Sequence, residues 1–100
     1  MSVINSDYYH NGQKKYEQYT NGTDLHREDG PQYTSWHDNG NKSSEEYRIK
    51  SILHRLDGPA LINWDYNGVC IYKIYCINGL EIESSSDEEF KKIVKLMVFK

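Results

Sequence analysis

Two short segments carry the residue types that chemistry uses. Leu25-His26-Arg27-x-Asp29-Gly30-Pro31 and Leu53-His54-Arg55-x-Asp57-Gly58-Pro59 repeat one pattern at a spacing of 28 residues. A histidine close to an aspartate is the raw material of general acid–base catalysis, because imidazole exchanges a proton near neutral pH and a carboxylate can orient it. That chemistry needs a pocket, which a small twisted sheet is poorly shaped to supply. His-Arg-x-Asp also heads the catalytic loop of protein kinases, but no Gly-rich loop, strand lysine or Asp-Phe-Gly accompanies it here. A metal bridging His26 and His54 finds no Cys-x-x-Cys or His-x-x-x-His spacing in support, so neither metal nor cofactor is expected.

The residues read more simply as architecture. Asp-Gly-Pro makes a turn: Asp can bond the backbone just downstream, Gly takes positive φ, and Pro fixes the entry to the next strand. His and Arg can satisfy carbonyls and the Asp carboxylate where the backbone lacks ladder partners. A catalytic constellation seldom needs two complete copies in so short a chain, whereas a packing motif does. Leu25, His26, Arg27, Asp29, Gly30 and Pro31, with Leu53, His54, Arg55, Asp57, Gly58 and Pro59, are therefore read as a repeated structural motif. No catalytic residue is assigned.

The same spacing organises the rest of the chain. Asn11-Gly12, Asn39-Gly40 and Asn67-Gly68 recur every 28 residues, as do Tyr8, Trp36 and Trp64, and Tyr19, Tyr47 and Tyr75. Asn-Gly is a strong hairpin signal and predicts type I′ turns with both residues at positive φ. The fold class expected is mainly β, an antiparallel meander of tandem β-hairpin repeats. Its units run over about 4–31, 32–59 and 60–82 within a sheet region 1–85. Polar residues interleave the aromatic ones in the first two units, as one buried and one wet face require. Unit three is apolar on both faces, so the element that covers the sheet should sit there.

That element is the segment 86–100. Ser86 is placed to cap a helix and Glu89 to complete a capping box. Phe90, Ile93, Val94, Met97 and Val98 form an apolar stripe, and Glu88 is set to pair Lys92. About 14 residues of isolated helix are marginal in water, so this helix must dock on the sheet. The two aromatic series predict ladders packed across neighbouring hairpins.

The tandem Asn-Gly and Leu-His-Arg-x-Asp-Gly-Pro elements resemble a group of MORN-like repeat variants found in small proteins of tailed phages and giant DNA viruses. The resemblance covers most of residues 8–82. The chain departs from it at Gln32, where the pattern has Ala after Asp-Gly-Pro, and it lacks the Gly-x-Gly signatures of ordinary MORN repeats. The resemblance implies a β-hairpin scaffold and a viral or phage origin. It implies no activity.

A formal net charge of −3 disfavours broad phosphate-backbone binding, which needs a basic face. The stretch Met1-Ser2-Val3-Ile4-Asn5-Ser6 has neither the basic nor the apolar region of a secretory signal. No apolar run approaches the roughly 20 residues of a membrane span. Cys70 and Cys76 fall on one strand, too far apart for a disulfide, which fits a reducing cytosol.

The function expected is a non-enzymatic protein-interaction module. It would be phage- or virus-encoded and would bind and inhibit a host factor such as a defence-system component. Tyr16, Tyr33, Trp36 and His37 of the wetter units are the expected contact residues. One alternative is a small-ligand binder or enzyme using His26, Arg27 and Asp29 with His54, Arg55 and Asp57. A second is a single-stranded nucleic-acid binder using the Tyr and Trp positions. Homo-oligomerisation through edge strands is a further expectation.

Overall fold

The structure, a computed structural model, describes residues 3–98. Met1 and Ser2 of the leader reading, and the Val98 side chain of the helix stripe, lie outside the described residues. Among the described residues seven strands form one antiparallel sheet. They are β1 (Val3–Tyr8), β2 (Lys14–Thr20), β3 (Tyr33–Trp36), β4 (Lys42–Glu46), β7 (Leu61–Trp64), β8 (Cys70–Ile77) and β9 (Leu80–Ile82), adjacent in that order. Between β4 and β7 the chain makes a short hairpin of β5 (Arg48–Ile49) and β6 (Ile52–Leu53). The helix α1 (Asp87–Val98) follows β9 and packs on β8. The meander with one docked helix is the fold read from the sequence.

Pleating sorts the side chains. The pairs Glu17 with Thr34, Thr34 with Glu45, Glu45 with Ile62 and Ile62 with Lys73 form one continuous row. Alternation puts Tyr19, Tyr47 and Tyr75 on that same face. The far face carries Tyr16, Ser35, Ser44, Asn63 and Tyr72 in one row, with Gln18, Tyr33, Glu46, Leu61 and Ile74 in the next. The molecule measures 51 × 34 × 17 Å, so it is a slab one sheet thick over most of its width. Among the described residues the buried apolar side chains are Ala60, Tyr75, Cys76 and Phe90, all near the helix end.

The Asn-Gly turns lie where the sequence puts them but have a different geometry. In the turns at Asn11, Asn39 and Asn67 the glycine takes positive φ, at 88°, 91° and 90°, and the asparagine does not. Each turn closes with the N–H of Tyr9, His37 or Asp65 donating to the carbonyl four residues on. The glycine N–H donates back across three residues. This is a type I turn followed by a left-handed glycine, with the bulge such loops carry. The registers shift at Tyr8, Trp36 and Trp64 accordingly. Asparagine acts here through its side chain. Asn11 Oδ1 and Asn39 Oδ1 accept the N–H two residues on, while their amides donate to the Asp38 and Tyr66 carbonyls of the next turn, at 2.8 Å each.

Two tighter hairpins do have both central residues at positive φ. They are Lys50-Ser51 (50° and 69°) between β5 and β6, and Asn78-Gly79 (50° and 82°) between β8 and β9. The first is spelled by residues that disfavour that region, and the tertiary ties explain it. The Lys50 N–H donates to His26 Nδ1 at 3.0 Å, the Ser51 N–H donates to the Leu25 carbonyl at 2.7 Å, and Ser51 Oγ accepts the Leu25 N–H.

At the helix, the Glu89 N–H donates to Ser86 Oγ at 3.1 Å, confirming the cap. The reciprocal half of the box is replaced by Ser85 Oγ donating to the Glu89 carboxylate. Glu88 pairs Lys91 at 3.5 Å rather than Lys92, and Met97 is exposed rather than docked. Phe90 is fully buried with its ring centroid 4.7 Å from that of Tyr75, whose hydroxyl donates to Asp87 Oδ1 at 2.7 Å. Burial, then the Asp87 carboxylate, push the Tyr75 phenol from 10.0 up to about 12. Two outcomes follow. Lys50→Asn relieves a left-handed lysine and should stabilise by about 1 kcal/mol in urea unfolding; destabilisation would mean the turn is held for another reason. Because the folded phenol binds its proton more tightly than the free one, its contribution is complete below pH 10 and lost as pH rises through about 12. Tyr75→Phe should therefore flatten the fall of stability over that window, measured by denaturant midpoints at successive pH values.

Candidate functional site

Each Leu-His-Arg-x-Asp-Gly-Pro segment folds into the same corner. The Arg27 guanidinium lies 4.0 Å from the centroid of the Tyr19 ring, and that of Arg55 lies 3.9 Å from Tyr47. Arg27 Nε–H donates to Asp29 Oδ1 at 3.0 Å and its Nη1–H to the Pro31 carbonyl at 3.1 Å. Arg55 does the same to Asp57 at 2.8 Å and to Pro59 at 3.1 Å. One planar cation thus covers an aromatic face while fixing the turn that sends the chain into the next strand. Arg27 also holds the Asp29 carboxyl below the usual carboxylate range, first by its hydrogen bond and then by its charge. Neither Gly30 nor Gly58 takes the positive φ expected of the Asp-Gly-Pro turn. The glycine instead leaves room for the arginine, since a Cβ on either would stand 3.0 Å from the guanidinium carbon.

The histidines are equally engaged. His26 Nδ1 accepts the Lys50 N–H, and His54 Nδ1 accepts the Asn78 N–H at 2.9 Å. Their own backbone N–H groups donate to the Tyr19 and Tyr47 carbonyls. A ring that accepts at Nδ1 carries its neutral-form proton on Nε2, so the lone pair a general base would use is committed to the backbone. Between the two corners lies a cleft of 580 Å³ lined by Arg27, Asp29, Tyr47, His54, Arg55 and Asp57. Among the described residues no group of three His, Cys, Asp or Glu side chains is placed to hold a metal ion.

The tyrosines that receive the arginines were not picked out as their partners from the sequence. A signal existed, since Tyr19 precedes Arg27 and Tyr47 precedes Arg55 by the same eight residues. The third tyrosine has no arginine at the equivalent place, where Glu83 stands, and Phe90 of α1 covers Tyr75 instead. The rings do not form a ladder. Two strand spacings separate successive tyrosines, roughly 10 Å. Gln32 and Ala60, both buried, occupy the intervening positions. Gln32 Nε2–H donates to the Tyr19 carbonyl at 3.1 Å, and its Oε1 is buried without a partner.

The four expected contact residues separate into three places. Tyr16 and Tyr33 stack on the far face with centroids 6.1 Å apart. Trp36 lies on the opposite face, where Lys14 Nζ is 5.9 Å from both its ring and that of Tyr8. Lys14 also bonds Glu17 at 3.0 Å, which raises the lysine pKa. His37 belongs to the second turn, its Nε2–H donating to the Trp64 carbonyl at 3.1 Å, with its ring 5.5 Å from that of Tyr66.

No family model, curated protein or solved structure matches this chain. The likeness to MORN-like variants therefore rests on the motif itself. No helix among the described residues is long and apolar enough to cross a membrane.

If the corner is held as described, Arg55→Lys should cost about 1–2 kcal/mol, because an ammonium cannot stack on Tyr47 while bonding both Asp57 and Pro59. Gly58→Ala should also destabilise the parent protein, and far less so in an Arg55→Ala background. A double-mutant cycle by chemical unfolding reads the coupling; additive effects would show that the guanidinium does not fill the glycine's space.

Proposed function

We propose that this chain is a non-enzymatic protein-interaction module whose contact surface is the far face of the sheet. The observation that carries this reading is the one-sided placement of α1. The helix packs over Tyr75 on one face, while the other presents the stacked Tyr16–Tyr33 pair and the 54% exposed Tyr72. Tyrosines set among serines, Asn63 and Glu46 make the kind of mixed, adaptable surface that protein contacts favour. The polar groups of the motif corners point the same way by elimination, since both arginines and both histidines already have partners within the fold. A small-ligand site in the 580 Å³ cleft would have to break those bonds to use them. On the opposite face Lys14 and Lys42 are paired with Glu17 and Glu45, which weakens a nucleic-acid reading. The motif's resemblance adds a setting: a phage- or virus-encoded protein that blocks a host factor, such as a defence-system component, in the host cytosol.

Within this reading Tyr16 and Tyr33 are the anchors, and Trp36 and His37 act elsewhere. The test is affinity capture from host lysate with the parent protein, with Tyr16→Ser/Tyr33→Ser, and with Lys92→Ser on α1 as a control. One protein retained stoichiometrically by the parent and the control, and lost from the double variant, is expected. Equal retention by all three would remove the far face from consideration. Retention of single-stranded DNA that falls steeply with salt would replace the reading with nucleic-acid binding.

A further inference from the structure

The sheet joins one hairpin to the next through a small, repeated joint. β2 meets β3 through Gln18, Glu17 and Tyr16 opposite Tyr33, Thr34 and Ser35. β4 meets β7 through Glu46, Glu45 and Ser44 opposite Leu61, Ile62 and Asn63. The two joints are superimposable in sequence by the same 28-residue offset. Carried once more, that offset calls for Ile74, Lys73 and Tyr72 of β8 to meet a further strand. Among the described residues none is there. β9 pairs with β8 only from Tyr75 onward, and Cys70, Ile71, Tyr72 and Lys73 are exposed.

Among the described residues no strand pairs this edge, and the direction in which its backbone points is defined. The Tyr19 and Tyr47 N–H groups donate to Gln32 and Ala60 of the following hairpin. Residues two apart on an antiparallel strand point their backbone groups the same way, so Glu45, and by the offset Lys73, face outward. The apolar surface is exposed with it: Val69, Ile71 and Tyr72 are 58%, 64% and 54% accessible. A groove of 550 Å³ runs beside the edge, lined by Lys73, Ile74 and Tyr75 and bounded by Ser84, Ser85 and Glu89.

The chain itself contains the strand that fits. β1 occupies in the first hairpin the place of β3 and β7 in the others, with Asn5, Ser6 and Asp7 standing for Tyr33, Thr34 and Ser35. Its outer edge is unpaired among the described residues, and Ile4 and Tyr8 on it are 54% and 56% exposed. Strand directions alternate across the sheet, so β1 of a second copy laid beside β8 is antiparallel to it, as every internal joint is. We infer that β8 of one molecule takes β1 of a second copy, with Tyr72, Lys73 and Ile74 opposite Asp7, Ser6 and Asn5 of that copy. The sheet then grows head to tail. The turns agree with this placement. Asn11 and Asn39 amides each donate to a carbonyl of the next turn, and Asn67, third in the series, has no such acceptor among the described residues. In the assembly it reaches the His10 carbonyl of the added copy. Lys73 then arrives two strands from Glu17 of that copy, in continuation of the row that runs from Glu17 to Lys73 within one molecule. This contact uses the rim of the sheet and does not depend on the far face binding another protein.

Sedimentation velocity over a wide concentration range tests the inference. The mass of the parent protein should climb with concentration without stopping at a dimer, since a head-to-tail contact does not close on itself. Lys73→Pro and Ser6→Pro each remove an outward N–H from one edge at a position where an edge strand tolerates proline. Each alone should stay monomeric, with the far-ultraviolet circular dichroism of the parent. Mixed, they should form a one-to-one dimer and nothing larger, because only one intact edge of each kind remains. A parent protein that is monomeric throughout overturns the inference whatever the variants do. Self-association of Lys73→Pro alone would replace it with β1-to-β1 pairing, and of Ser6→Pro alone with β8-to-β8 pairing.

Discussion

A sheet one layer thick has no opposing wall to press its strands together. Here the joints between hairpins are three residue pairs wide, too little to hold a hairpin in place unaided. What secures each step is an arginine lying flat on a tyrosine at 4.0 and 3.9 Å while bonding the aspartate and the proline carbonyl of its own turn. The contact does two jobs at once. It seals the apolar face of a ring that would otherwise be wet, and it sets the direction in which the chain leaves for the next strand. The glycine that lets the guanidinium approach and the histidine that anchors the following hairpin serve the same corner.

The rest of the slab is arranged around those corners. At one end of the sheet, side-chain amides of Asn11 and Asn39 tie turn to turn. At the other, the short hairpins lean on one another: Leu25 on Ser51, Arg27 on Arg48, Leu53 on Gly79 and Arg55 on Cys76, each through backbone hydrogen bonds. Unit three has no arginine to offer Tyr75, and α1 supplies Phe90 in its place. The helix is therefore a hydrophobic substitute for the corner, and it concentrates the buried apolar residues at that end.

Much of this was legible in the sequence because the signals were local and repeated. The hairpins, the meander, the Ser86 cap and the docking of Phe90 all follow from short-range patterns. What escaped was set by contacts between distant residues. Asn-Gly alone does not say which turn it makes; the bulges at Tyr8, Trp36 and Trp64 decide that. Lys50-Ser51 carries no turn signal, since its conformation is enforced by His26 and Leu25. Equal spacing of Tyr19, Tyr47 and Tyr75 suggested rings in contact, whereas a two-strand unit keeps them apart with Gln32 and Ala60 between. For the candidate site, the motif residues were found but their tyrosine partners were not, and the four aromatic and histidine candidates proved to be dispersed. Periodicity tells which residues are equivalent, and the pleat decides which of them share a face.

Gln32 stands where the equivalent position holds Ala60, and both are buried. A long polar side chain in a slot that a methyl group fills elsewhere, with one oxygen left unbonded, indicates that the slots between tyrosines are not identical in width. The corner, not the slot, is the invariant part of each step. A scaffold built this way is tolerant of change in register units: a whole hairpin with its corner could be duplicated or lost without redesigning the neighbours. Chains sharing this plan should then differ in length by multiples of 28 residues more readily than by any smaller insertion.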